Sequence, residues 1–184
     1  PALGGMPGQD AQRSLLRPLL LTPRTTLEAF LKNSGYPWRV DESNFSRDAT
    51  RNRFRHDLLP GLVAENPAYL DAAARVWRMA RVDEAHWSVQ ISAALAGAQR
   101  KSGSILLPAA LLADFTSALR LRLYKAVLDE LGPGQTLGES LLALDALWTN
   151  ASSGKALRFP GDKEARISKP GIRFRVIDRK MECG

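Results

Sequence analysis

Cysteine is nearly absent from the sequence, with one residue, Cys183, beside the C-terminus of 184. A lone thiol forms no internal disulfide. With only His56 and His86 as imidazoles, no metal-ligand cluster is expected. Long apolar runs are missing too, and none approaches the roughly 20 residues that a bilayer span requires. The opening stretch, PALGGMPGQDAQRS, lacks the charged-then-apolar order of a signal peptide, so a cytoplasmic protein with no membrane partner is expected. Tandem repeats and low-complexity segments are absent as well.

What is present is a 45% hydrophobic chain with a net charge of +7, enough apolar content for a core in one or two domains. The charge is uneven. Residues 1–60 carry nine Lys/Arg against six Asp/Glu, residues 61–154 eight against nine, and residues 155–180 nine against three. Basic ends around a neutral middle point to a polyanion such as nucleic acid, although a basic surface also serves solubility alone.

The patterning predicts a mainly α chain with a short antiparallel β tail. Thr25–Glu28 reads as a capping box opening a short helix, which Gly35 ends. A loop with Pro37, Asp41, Ser43 and Asn44 comes next. A second helix is predicted from Asp48 to Leu59, stopping before Pro60. Asn66-Pro67 opens a long helix to about Arg100, with Ala73, Trp77, Ala80, Glu84, Trp87, Ile91, Ala94 and Ala98 as a core-facing seam. Such a helix, at 1.5 Å per residue, spans about 50 Å and is long enough to link two domains. Pro108 starts another helix, running to Gly132, and a second capping box, Thr136–Glu139, opens a helix carrying Leu141, Leu144 and Trp148. From about residue 155, apolar and basic residues alternate around Pro160-Gly161 and Pro170-Gly171, which predicts two or three strands. Leu157, Phe159, Ile167, Ile172 and Phe174 then face a core. Lys155, Arg158, Lys163, Arg166, Lys169, Arg173 and Arg175 make a basic face.

Between residues 47 and 55 stand Arg47, Arg51, Arg53 and Arg55. On a regular helix Arg47, Arg51 and Arg55 share one side, and Phe54 and Leu58 form an apolar pair on another. Planar guanidinium forks grip phosphate with two parallel hydrogen bonds, while Asp48 and Asp57 can instead pair the arginines into an ordinary solvated helix. His56, next to Asp57, suits a surface position better than a general base. The four tryptophans can stack on bases, but Trp77, Trp87 and Trp148 occupy helical seam positions that suit packing, which leaves Trp38 in the loop.

The segments LLRPLL, TLEAFLKNSGYPWRVDESN, RNRFRHDLLPGL and NPAYLDAAARVWRMARVDEAHW resemble, in order and spacing, the bacterial tRNA(Ile)-lysidine synthetases. The specific part is D-x-S-N at Asp41, Ser43 and Asn44, together with the later R-N-x-x-R-H at Arg51 to His56. The likeness continues through LRLRLYKAVLDELG and SGKALRFPGDKEARI to near residue 177. It implies an N-type ATP pyrophosphatase, a ligase of tRNA processing that uses ATP and Mg2+ to adenylate C2 of the wobble cytidine of a CAU-anticodon tRNA(Ile). Free lysine then displaces AMP to give lysidine.

The family's SGGxDS phosphate loop is absent from the sequence, and LGGMP (Leu3–Pro7) resembles a family stretch on the C-terminal side of that loop. The expectation is therefore a C-terminal portion, with residues 1–60 trailing a catalytic domain. Residues 61–184 would supply a long linking helix and a helical tRNA-binding domain with its β tail. No cofactor is expected on this chain alone. The resemblance assigns Arg51 and Arg55 to catalysis, neutralising phosphate charge. It assigns Arg17, Asp41, Asn44 and Asn52 to the active-site border, where Asp41 and Asn44 either contact substrate or hold the loop against the arginine helix, and it assigns Arg158, Arg173 and Arg175 to tRNA. A homodimer is possible. The alternatives are a stand-alone nucleic-acid-binding module without catalysis and a structural dimerisation domain.

Overall fold

A computed structural model describes residues 6, 8–10, 14–39 and 46–177. The chain divides into two compact units, residues 1–84 and 85–184. The first opens with a minimal antiparallel ladder, β1 (Gln9–Asp10) with β2 (Leu15–Leu16), which the sequence did not announce. Helix α1 (Arg24–Asn33) is next. Its end is as expected: Gly35 sits at φ +70, its N–H donating to the Lys32 carbonyl and that of Tyr36 to Leu31. Its start is not. The helix begins one residue before Thr25, with Pro23 in extended geometry at the cap position and no side-chain cap. Glu28, the expected capping partner, is taken instead by Arg24 at 2.6 Å.

The predicted helix ending before Pro60 is also corrected. Helix α2 (Thr50–Arg53) widens into a π turn (Phe54–Leu58) and continues as α3 (Leu59–Glu65) straight past the proline. Proline lacks an N–H and its ring crowds the preceding turn; here it falls in the first turn of α3, where the chain tolerates both. Phe54 and Leu58 were expected to pack, yet they are 57% and 50% exposed. Asn66 then starts the next turn as predicted, its Oδ1 accepting the Ala68 N–H at 3.0 Å. Helix α4 (Tyr69–Ala96) gives Tyr69–Glu84 to the first unit and Ala85–Ala96 to the second.

The expected seam of α4 is real but shallow. Trp77, Ala80, Glu84, Trp87, Ile91 and Ala98 are half-buried, Ala94 is buried, and Ala73 is exposed. The helix also stops at Ala96, short of Arg100, because the chain turns into a hairpin. Strands β3 (Gln99–Lys101) and β4 (Ser104–Pro108) pair around Ser102-Gly103. The predicted 108–132 helix is two: α5 (Ala109–Ala113) and α6 (Ser117–Glu130), separated at Asp114–Thr116. Helix α7 (Gly138–Thr149) starts after Leu137 without a capping box, and the Thr136 hydroxyl is buried without a hydrogen-bond partner.

Three strands close the chain as expected: β5 (Ala156–Phe159), β6 (Lys163–Ser168) and β7 (Gly171–Val176). They are more than a tail. With β3 and β4 they make one antiparallel sheet in the order β3-β4-β7-β6-β5. Gly171 marks a close approach, because a Cβ there would sit 2.0 Å from the Leu107 carbonyl oxygen. One sheet face packs Ile105, Leu107, Phe159, Ala165, Ile167, Ile172 and Phe174 against Leu123, Tyr124, Val127, Leu128, Leu141 and Leu144. Each such side chain contributes about 1.5–3 kcal/mol of burial.

Two polar clips lie against that core. Asp145 on α7 accepts from Ser117 (2.6 Å), from Arg120 at both oxygens (2.7 and 3.0 Å) and from Tyr124 (3.1 Å). Burial would push the Asp145 carboxyl up, but the Arg120 and Ser117 hydrogen bonds outweigh it and hold the group below the usual carboxylate range. Burial pushes the Tyr124 phenol up. The second clip is Lys163, expected on the basic face but fully buried. Its position on β6 points inward, and its Nζ donates to the Leu128 and Gly132 carbonyls at 2.8 and 2.9 Å, satisfying the end of α6. Burial lowers its pKa.

Candidate nucleic-acid interface

The arginine segment is built by its own side chains. Asn52, the buried polar residue among the described residues of this unit, donates to the Ser46 carbonyl at 2.8 Å and fixes the turn leading into α2. Arg53 donates to the Arg47 and Asp48 carbonyls at 3.0 and 2.8 Å and to the Thr50 hydroxyl at 2.9 Å. It is therefore a clamp on the backbone, a role the sequence pattern did not separate from its neighbours.

Arg47 lies before the helix rather than on it, and pairs with Asp57 at 3.2 Å. This corrects the expected stripe of three. The helix starts at Thr50, and the π turn changes the angular step between Arg51 and Arg55. Arg51 is exposed and Arg55 half-buried. Arg17 comes directly after β2, half-buried, its N–H donating to the Gly8 carbonyl at 2.7 Å. Asp41 and Asn44 lie outside the described residues.

The second unit presents its cations on the sheet face opposite the core. Strand alternation puts Arg158 (β5), Glu164 and Arg166 (β6), Arg173 and Arg175 (β7) and Lys101 (β3) on that face. Register sorts them into two cross-strand rows. One runs Arg158, Glu164, Arg175, Ser104, Lys101; the next runs Ala156, Arg166, Arg173, Leu106, Gln99. Arg166 and Arg173 thus stand directly opposite one another, an arrangement of like charges that costs stability without anions nearby.

Glu164 is the face's carboxylate, its side chain only 9% exposed. It accepts from Arg175 Nε at 3.1 Å and from Arg166 Nε and Nη2 at 3.3 and 3.5 Å. Of the expected basic face, Arg158, Arg166, Arg173 and Arg175 are present; Lys163 is buried on the other side, Lys155 and Lys169 lie outside the strands, and two members are ones the sequence analysis did not assign to it. Lys101 was hidden by reading residues 97–100 as helix; a Ser-Gly pair before ILLP was the available signal for a hairpin. Glu164 was overlooked as one acid among many bases. Of the tryptophans, Trp38 is exposed as expected, Trp77 donates to the Met6 carbonyl at 3.2 Å, and Trp87 lies under the Arg122 guanidinium, 4.1 Å from the ring centre.

Among the described residues no group of three or more His, Cys, Asp or Glu side chains is arranged to hold a metal ion, and no helix is long and apolar enough to cross a membrane. Residues 1–62 match a family model described as a PP-loop domain. The chain is also similar to three curated relatives, each named tRNA(Ile)-lysidine synthase. One from Nitratidesulfovibrio vulgaris is 40% identical over 191 aligned residues, covering 95% of this chain and 55% of the relative. One from Salinispora tropica is 34% identical over 183 residues, covering 95% and 54%. One from Chromobacterium violaceum is 46% identical over 77 residues, covering 40% and 18%. Over nearly its whole length the chain is similar to proteins named tRNA(Ile)-lysidine synthase, and its first 62 residues match the PP-loop domain. It spans about half the length of the curated relatives it matches over nearly all of itself.

Proposed function

We propose that this chain serves the ATP-dependent attachment of lysine to C2 of the wobble cytidine of a CAU-anticodon tRNA(Ile), through an adenylated intermediate. Arg51 and Arg55 act at the transfer step, and the basic sheet face holds the tRNA body. The observation that supports this best is the identity of 40% that runs through both the arginine segment and the strands. The chemistry divides accordingly. Displacement of AMP by an amine builds negative charge on a departing phosphate, and a guanidinium already in place lowers that barrier. Arg51 is exposed and Arg55 half-exposed on one short helical segment, with Asn52 and Arg53 holding the backbone beneath them. Arg17, Asp41 and Asn44 border that region in this reading.

The sheet face does different work. Arg158, Arg166, Arg173 and Arg175 hold phosphates without reading bases, which positions the tRNA and gives salt-dependent affinity. No step through ATP or Mg2+ is assigned to these residues, since the sequence carries neither the SGGxDS loop nor a described carboxylate cluster suited to the metal. The reaction also implies free lysine as co-substrate and a cytoplasmic setting.

The test uses a full-length synthase carrying this segment. Arg51→Ala or Arg55→Ala lowers the single-turnover rate of lysine transfer far more than it weakens tRNA binding. Arg173→Ala with Arg175→Ala does the reverse. Equal losses of affinity with unchanged turnover in both would reduce the arginine helix to part of a general basic footprint.

A further inference from the structure

We infer that Glu164 determines which of the two arginine rows on the sheet face admits phosphate, and so discriminates folded tRNA from other polyanions. The inference rests on the reading of this face as the tRNA-holding surface. Neighbouring strands lie about 4.8 Å apart, so residues of one row are within reach of the same phosphate. In the Arg158–Glu164–Arg175 row the middle position is a carboxylate. A phosphate bridging that row meets a like charge at its centre and an Arg175 whose Nε is already engaged at 3.1 Å.

The adjacent row is different. Arg166 and Arg173 face each other with no acid between them, and Arg173 has no ion pair among the described residues. The Arg166 contacts are all long, at 3.3 and 3.5 Å to Glu164 and at 3.4 Å from Nη1 to the Gly154 carbonyl, so the guanidinium is held weakly. Phosphate therefore enters at Arg166 and Arg173, and Glu164 closes the row of Arg158 and Arg175. Neutralising relief for crowded arginines explains why an acid is tolerated there. It does not explain why the acid is buried on an inner strand, in register between Arg158 and Arg175.

A polyanion whose phosphates can take any spacing, such as poly(U), would profit from both rows, whereas a rigid folded RNA uses the row its shape reaches. Binding is measured for this chain against a tRNA(Ile) transcript and poly(U) over a salt series. Glu164→Gln keeps the shape and removes the charge. It should tighten poly(U) binding by about tenfold and steepen its salt slope by about 0.7 for each additional phosphate neutralised. The tRNA transcript should change less, so discrimination falls.

Arg175→Ala should cost little in the native background and much in the Glu164→Gln background, a coupling that a merely structural glutamate would not produce. Poly(U) affinity that is unchanged or weaker in Glu164→Gln, with thermal unfolding intact, overturns the inference. If Arg173→Ala leaves tRNA affinity unchanged, the face itself is not the tRNA surface and the underlying reading fails instead. Should Glu164→Gln unfold, Glu164→Gln with Arg166→Gln, which restores the face's net charge, carries the test. The expected result is a native-like salt slope with an Arg175→Ala effect that persists; no Arg175 effect there contradicts the inference.

Discussion

Residues 1–84 and residues 85–177 differ in what each can bury by itself. In the second unit, helices α6 and α7 and the five-stranded sheet enclose a continuous core, with Leu107, Leu123, Tyr124, Leu144, Ile172 and Phe174 fully buried. In the first, no described hydrophobic residue is buried, and Leu16, Phe30, Tyr36, Phe54 and Leu58 stand half or more exposed. Its order comes from local polar contacts, among them the Asn52 and Arg53 bonds and the Gly35 helix end. The lesson is that two stretches of similar composition carry arginines for different purposes. In the first unit guanidinium groups hold backbone and face solvent on a scaffold with little core. In the second they decorate a sheet whose other face is fully packed.

The largest expected effect that sharpens this contrast is a core truncation. Leu144→Ala or Phe174→Ala should cost about 3–5 kcal/mol by chemical denaturation, whereas Phe54→Ala or Leu58→Ala should stay within about 0.5 kcal/mol. Equal losses would mean that the first unit packs its apolar side chains after all. Next comes the Asp145 clip, whose pair with Arg120 has side chains only 9% and 14% exposed. Asp145→Ala should cost about 3–5 kcal/mol, because it leaves a mostly buried guanidinium uncompensated.

The pH dependence of that clip has a definite sign. The Asp145 carboxyl titrates lower in the folded chain than in the unfolded one, so its stabilisation is complete above about pH 4 and is lost as pH falls through the folded value. Asp145→Asn should flatten the acid limb of a stability–pH profile; an unaltered limb would assign acid sensitivity elsewhere. A smaller effect is expected on the surface. Arg173→Ala with Arg175→Ala should leave stability nearly unchanged while lowering the salt slope of tRNA binding by up to about 0.9 per phosphate left without its guanidinium.

The sequence made the second unit partly legible. The alternation from Lys155 onward, with Pro160-Gly161 and Pro170-Gly171 as turns, yields β5 to β7 and the side that packs, because period-two patterning is a direct image of a half-buried sheet. It misassigns Lys163, since a long amine reaching helix carbonyls from an inward position looks in sequence like any other base. It also misses β3 and β4: Gln99–Lys101 continues the composition of α4, and SILLP becomes a strand by pairing with β3 and β7. Both capping boxes fail because Thr-x-x-Glu spacing is a local signal, and Pro23 and Leu137 took the cap positions instead. The arginine segment was legible as a motif but not as geometry. The π turn lies just before Pro60, and nothing in residue spacing announces it. Asp41 and Asn44, central to the family resemblance, lie outside the described residues.

The asymmetry between the two units is the claim on which the rest depends, and native-state hydrogen exchange of the intact chain tests it most directly. The slowest amides should fall in β4, β6, β7, α6 and α7, between residues 105 and 176, with those of α1 to α3 exchanging by local opening at much lower free energy. If the slowest amides lie between residues 25 and 58 instead, the first unit has a core of its own and the account is contradicted.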